Sequence, residues 1–270
     1  MPTPQAPYFR NAPVVERVLG VQFDSVSGFH NGLLGAFWKS LGDDWPQVTD
    51  AGPIEPEFEQ FGESALWAYP GVSFRVSQSP GCRLQIQNAA GDRMIQVQNC
   101  RFHLNWKGTS GEGYPRFPAI QDEFLAYLKR FRDFLASDAK AGLRPNTWEV
   151  TYVNHCQKGT VWKTPEDWQS VFSPLVLPRP TTAFAALETL GGNWQYEIQP
   201  RRGRLRVELR HGRQDDRELL AFTLTARGPL GQTDDASIAA GLDLGRQTID
   251  VAFKELTSDA AHKYWELENA

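Results

Sequence analysis

Cysteine, methionine and histidine are all scarce in this 270-residue sequence, at three, two and five residues. Cys82, Cys100 and Cys156 are odd in number and share no Cys-x-x-Cys spacing, which fits three reduced thiols in a cytoplasm. No two histidines stand at a spacing that suits a metal and no carboxylate pair accompanies them, so no metal site is assigned. Long apolar runs are missing too: nothing approaches the roughly eighteen residues a membrane helix needs. The first residues lack the charged and apolar regions of a signal peptide. Charge of one sign is in short supply. A net charge of −4 argues against a general binder of nucleic acid or anionic membrane, while leaving room for a local basic patch.

Catalytic signatures are absent as well. The glycine-rich run 108–113 sits between a strand and a helix, where phosphate loops lie. It lacks the Gly-Lys-Ser/Thr ending and reads as a flexible connection. There is no Gly-x-Ser-x-Gly elbow. His155 and Cys156 are adjacent, but neighbours on a strand point to opposite faces and cannot serve each other as nucleophile and base. The expectation is no cofactor and no catalytic residue.

Aromatics, by contrast, are plentiful. Nine tryptophans and 16 phenylalanines favour wide sheets with large buried contacts. Residues 94–106 organise the rest. Ile95 and Val97 share one face, Phe102, Leu104 and Trp106 another, and one unbroken strand cannot hold both phases, so two strands joined by a turn at 99–101 are expected. Further strands are read at 14–23, 72–77 and 83–88, then at 148–155, 184–190, 194–199, 204–211 and 219–227. In the first of these Val15, Leu19, Val21 and Phe23 share a face, with Arg17 as the exception. Helical spacing marks 33–41, 118–135 and 238–256, although Gly241 and Gly245 weaken the last by roughly 1 kcal/mol each. Thr164, Pro165, Glu166 and Asp167 make a helix start, and Thr257 or Ser258 caps a short final helix over 259–267. The Pro-, Gly- and acid-rich stretch 43–63 is expected to be a long surface loop.

Residues 1–13 read as an extended arm. Residues 14–142 and 143–270 then each run strand, helix, four strands, helix, and residues 83–87 (Arg-Leu-Gln-Ile-Gln) echo 204–208 (Arg-Leu-Arg-Val-Glu). The fold class is α+β: two β-α-β4-α repeats forming a pseudo-twofold, curved antiparallel sheet with the long helices on one face, the saddle of TATA-binding-protein-like folds. That is an analogy of topology and carries no function.

The candidate ligand site follows from strand phase. His103 and Asn105 share the face opposite Phe102, Leu104 and Trp106. Asn154 ends a strand after Trp148, Val150 and Tyr152. If these strands are neighbours, His103, Asn105, Trp106, Tyr152, Asn154 and His155 lie about one site, with His103, Asn105, Asn154 and His155 lining a polar patch on the open sheet face. The alternative is that the asparagines close strand ends through backbone hydrogen bonds. A second candidate is basic: Arg204, Arg206 and Arg210 share one strand face in an arginine-rich hairpin over 201–217, a place for nucleic acid to stack beside Trp194 and Tyr196. Glu208 and the acids at 215–218 interrupt that run, as on a solvated sheet surface.

One resemblance adds to this reading. Asn11-Ala12-Pro13-Val14-Val15-Glu16, the strand pair ending Leu104-Asn105-Trp106, Tyr114-Pro115-Arg116, Tyr152-Val153-Asn154-His155 and the closing segment 253–265 fall in one order along nearly the whole chain. In this the chain resembles a family of uncharacterised bacterial proteins of similar length, sporadically distributed among genomes. The resemblance implies a stand-alone cytoplasmic protein of an accessory system, such as phage defence or a toxin-linked cassette, and supplies no activity, cofactor or site residue. The expected function is a non-catalytic binding protein that holds a protein, peptide or small ligand on its sheet face or inter-repeat cleft. The alternatives are a hydrolase using His103 or His155 as general base and a nucleic-acid binder using the arginine hairpin.

Overall fold

Phe102, Leu104 and Trp106 alternate with Arg101, His103 and Asn105, and this period-2 split divides the whole sheet into an apolar and a polar face. A computed structural model of the chain describes residues 7–62, 81–108, 115–173 and 187–268. Its first half contains β1 (Tyr8–Phe9), β2 (Val14–Phe23), α1 (Asn31–Leu41), β3 (Gln47–Ala51), β4 (Arg83–Gln87), β5 (Arg93–Gln98), β6 (Arg101–Lys107) and α2 (Phe117–Phe134). The second contains β7 (Pro145–Gln157), a 3-10 helix (Pro165–Ser170), β8 (Gly191–Ile198), β9 (Gly203–Gln214), β10 (Arg217–Pro229), α3 (Asp235–Leu256), α4 (Asp259–Tyr264) and β11 (Leu267–Glu268). Nine strands form one open antiparallel sheet in the order β3-β4-β5-β6-β2-β7-β10-β9-β8, with β2 and β7 side by side at its centre. β1 and β11 pair separately. The architecture is α+β, and both halves of the chain build the same sheet.

Helices cover the apolar face. Phe102 stacks on Phe131 of α2 at 5.4 Å between ring centres, and Phe37 of α1 meets the same ring at 4.9 Å. Under the second half, Phe222 of β10 lies between Phe172 and Phe253. Gly241 and Gly245, unfavourable within a helix, have their reason here. A Cβ on Gly241 would sit 2.6 Å from Cγ of Trp148, and one on Gly245 2.8 Å from its Cζ3. α3 therefore lies directly against the Trp148 ring because both positions lack a side chain. Arg17, out of phase by polarity, does face this side: it is buried between Trp106 and Tyr152 and donates to the Pro115 carbonyl at 3.1 Å.

Caps follow the sequence signals. Thr164 and Asp167 form a capping box, but the turn that follows is 3-10 and stops at Ser170. Asp234 accepts from Ser237 N–H at 2.7 Å, and Ser258 from Ala261 N–H at 3.1 Å. The strand expected at 72–77 lies outside the described residues, as do residues 184–186 and most of the glycine-rich run. The strand expected at 184–190 is corrected in its described part: residues 187–190 have no regular secondary structure and lead into β8. The expectation for 43–63 is corrected in its first part, which contains the edge strand β3, paired with β4. Residues 52–61 have no regular secondary structure and are mostly exposed, as expected of a surface loop, but they form a strap laid across the sheet's polar face. The apolar period that marks other strands is weak in β3, where Val48 is the one large aliphatic residue, and the strap is held by charge.

Candidate binding groove on the open sheet face

The strand registers align one polar row across the sheet: Gln85, Gln96, His103, Gly20, Glu149, Arg227 and Arg204, one each from β4, β5, β6, β2, β7, β10 and β9. Gly20 is its centre. A Cβ there would overlap the His103 ring, coming 2.8 Å from Nε2, so the imidazole lies across the glycine towards Glu149. His103 Nε2 stands 3.8 Å from Glu149 Oε1 and has no hydrogen-bond partner among the described residues. Burial is the main force pushing this imidazole down, to about 4. Glu149 pulls the other way, while Arg101, Arg83 and Arg227 add to the effect of burial. His103 is therefore neutral at pH 7. Burial opposes the Glu149 carboxylate, but His103, Arg101 and Arg227 outweigh it and hold the carboxyl below its ordinary value.

On the β4–β6 side the row is tied off. Arg83 donates to Gln96 at 2.8 Å, Gln96 to Asn105 at 2.9 Å and Asn105 to Glu16 at 2.7 Å. Each amide has its partners, so this chain of bonds fixes the face rather than offering free groups. Around Glu149 four guanidiniums converge, Arg101 from β6, Arg204 and Arg206 from β9 and Arg227 from β10. Arg101 and Arg227 donate to Glu149 Oε2 at 3.3 and 3.1 Å.

The strap supplies the remaining carboxylates. Glu59, whose side chain is 1 % exposed, accepts from Arg204 at 2.8 Å and Arg227 at 3.0 Å and lies 2.9 Å from Arg206. Glu57 pairs with Arg227 and lies 3.4 Å from Arg206. Arg227 is raised above its ordinary value: burial lowers it, but Glu149, Glu57 and Glu59 prevail. The strap's main chain is held by side chains. Gln98 takes both the N–H and the C=O of Ile54, at 2.9 and 2.8 Å, and Gln22 accepts from Glu57 N–H at 2.8 Å. Arg101 and Arg204 donate to the carbonyls of Glu55 and Gln60 at 2.9 and 2.7 Å. Beside the strap a groove of about 800 Å3 is lined by Glu57, Arg101, Glu149, Thr225, Arg206 and Arg227 among others.

No family model and no curated protein matches this chain. The groove has to be read from its own chemistry. Among the described residues no group of three or more His, Cys, Asp or Glu side chains is placed to hold a metal ion.

The residues expected to share a site are divided by the sheet. His103, Asn105 and His155 are on the open face; Trp106, Tyr152 and Asn154 are on the helix-covered face, in phase with Leu104 and Val150. The placing of Asn154 on the open patch is therefore corrected: strand phase sends it under the sheet, where its amide donates to the Phe222 carbonyl at 3.0 Å. His155 is half-buried, its ring pushed down by burial against the opposing pull of Glu16. It lies six residues along β7 from Glu149, roughly 20 Å on strand geometry. Cys156 points the other way, its thiol pushed up to about 12 by burial. Arg204 and Arg206 are bound to the strap, whereas Arg210 is exposed and paired with Glu208. Arg101, Glu149, Arg227, Glu57 and Glu59 were not singled out by sequence. The available signal was Glu55-x-Glu57-x-Glu59, acids at period 2 matching Arg204-x-Arg206.

Proposed function

We propose that this chain is a binding protein and that its ligand is held on the open face of the sheet, in the groove beside residues 52–61. The observation that carries this reading is that Arg101, Arg206 and Arg227 line that groove, with Arg204 beside them under the strap. Buried guanidiniums are strongly directional donors suited to recognising carboxylate or phosphate groups. Of the two general-base candidates, His103 and His155, His103 is instead a packed, neutral ring wedged over Gly20. The strand order, with β2 and β7 central and β6 and β10 outside them, supports reading the two halves as duplicates and the sheet as a saddle of the TATA-binding-protein kind. In that reading the groove is the saddle's polar underside. An accessory bacterial role, as the resemblance implies, accords with a protein that binds rather than turns over.

The test is native mass spectrometry of the chain purified gently from its own host, wild type beside Arg206→Ala. Arg206 lines the groove and is about one-third exposed (35 %), so its loss leaves the fold intact. The expected result is a bound species retained by the wild type and missing from the variant. Retention that ignores Arg206, or turnover of a substrate that stops in His103→Ala, overturns the proposal.

A further inference from the structure

Residues 52–61 are attached to the sheet in an unusual way. Among the described residues, no backbone–backbone hydrogen bond joins them to a strand. Their amides and carbonyls are instead read by the side chains of Gln98, Gln22, Arg101 and Arg204. Side chains that accept from peptide N–H and donate to peptide C=O recognise a polypeptide main chain of any sequence. A nucleic-acid backbone has no N–H to give to Gln98 or Gln22. Sequence is read separately. Glu59 is buried against the arginines and Glu57, half exposed, reaches Arg227 and Arg206, while Phe58 between them is 62 % exposed. This is the alternation of an extended chain, and Pro53 and Pro56 favour that conformation in the residues before them.

Charge argues that the seat is larger than its present occupant. Among the described residues, the ion pairs set four guanidiniums against Glu57, Glu59 and Glu149, and two of these three carboxylates belong to the strap. Arg101 is 4 % exposed at its side chain, and its Nε has no partner among the described residues.

We propose that this face is a recognition site for an extended acidic peptide of a partner protein, with carboxylates two residues apart, and that residues 52–61 occupy it as the chain's own stand-in. This rests on the open sheet face being the ligand site, extends that site from the groove to the adjoining seat under the strap, and adds the class of ligand and its regulation. A partner bearing an acid-x-acid segment displaces the strap, exchanging Glu57 and Glu59 for its own carboxylates on the same arginines. The tethered strap acts at an effective concentration on the order of millimolar, so only a peptide that binds better, or a dense array of them, opens the site.

The probe is a fluorescein-labelled peptide of residues 52–62 titrated into the full chain and followed by anisotropy. Glu57→Gln/Glu59→Gln protein is expected to bind it at least tenfold more tightly than wild type. Changing both glutamates to glutamine in the peptide, or adding Arg206→Ala to the protein, should remove that gain. Equal, weak binding by wild type and a folded double variant overturns the proposal. Binding of single-stranded oligonucleotide or inorganic phosphate in place of the peptide overturns the peptide class but leaves the groove standing as an anion site. Failure of every probe removes both. Should the double variant not fold, hydrogen exchange on the wild type decides. Saturating unlabelled peptide is expected to speed exchange at the Ile54 and Glu57 amides at least tenfold, and unchanged exchange overturns displacement.

Discussion

Gly20→Ala is expected to destabilise the protein through a single neighbour, the His103 ring. Gly20 stands between His103 and Glu149 in the row that crosses the sheet. A Cβ there would overlap the ring, at 2.8 Å from Nε2 and 3.3 Å from Cγ, whereas real Cβ contacts essentially never fall under 3.0 Å. The imidazole has little room to yield, being 4 % exposed with Glu149 and Arg101 beside it. Overpacking of this kind costs about 1–3 kcal/mol. Against that, alanine restricts the unfolded chain and returns about 0.4–1 kcal/mol. The net expectation is a loss of about 1–2 kcal/mol from the combined effects. In a His103→Ala background the obstacle is gone, and the same substitution should be neutral or slightly stabilising. Urea unfolding of the four proteins completes the cycle, with an expected interaction energy of about 2 kcal/mol. If the two changes add within ~0.5 kcal/mol, the ring is not what the glycine accommodates and the wedge reading is wrong.

The remaining predictions concern titration and the strap. Burial holds His103 at about 4 against an ordinary 6.5, so its contribution to stability is complete above about 6.5 and is lost as pH falls towards 4, about 3 kcal/mol in all. His103→Gln should flatten the stability–pH curve in that window, and an unchanged slope in urea unfolding at pH 7, 5.5 and 4.5 contradicts the assignment. Asp250 behaves in the opposite sense. Burial raises it to about 6 against the opposing pull of Arg246 and Arg17, so its contribution is full below about 3.8 and is lost as pH rises through 6. Asp250→Asn is expected to raise Tm at pH 7.5, through a gain on the order of 1–3 kcal/mol, and to leave Tm at pH 3.5 unaltered. A lower Tm at pH 7.5 would mean that the 2.9 Å ion pair with Arg246 outweighs burial. For Glu59→Gln, removing the buried charge from among three arginines is expected to loosen the strap by about 2–3 kcal/mol, read as roughly thirty- to hundredfold faster exchange at the Ile54 and Glu57 amides with Tm little changed. Strap and sheet opening together, at one rate, would show that the strap is part of the cooperative core.

The alternation that marks a strand with one apolar face was legible wherever that face carries large side chains. β2, β5, β6, β7, β9 and β10 have such faces, and so do the stripes of α1, α2 and α3. Period and polarity suffice there because burial on one side fixes the register. Three things escaped for different reasons. β3 is an edge strand with Val48 as its one aliphatic residue, so its periodicity is weak. The strap has no apolar period at all; Glu59 is buried by ion pairing with arginines about 145 to 168 positions away, a match that no local window contains. The site itself was legible in part. Strand phase placed His103 and Asn105 together, but the same phase should have sent Asn154 beneath the sheet with Tyr152. The decisive partners of His103, Gly20 and Glu149, come from two other strands, and only the register of β2 between β6 and β7 brings them into line.

The polar face is not what stabilises this fold. A buried ion pair commonly does no better than well-packed apolar residues of the same volume, because desolvation offsets the attraction, while removing one partner is costly. The apolar face, with its aromatic stack of Phe37, Phe102 and Phe131 and the close fit of α3 on Trp148, is sufficient to order the sheet. Once ordered, the sheet carries Arg101, Arg204, Arg206 and Arg227 on β6, β9 and β10. With no backbone–backbone hydrogen bond to the sheet among the described residues, the strap is expected to open before the sheet does. On the proposed reading, stability and recognition are carried by opposite faces of the same strands. Substitutions of Glu57 or Glu59 are then expected to alter what occupies the polar face, whereas substitutions of Trp148 or Phe131 are expected to alter whether that face forms.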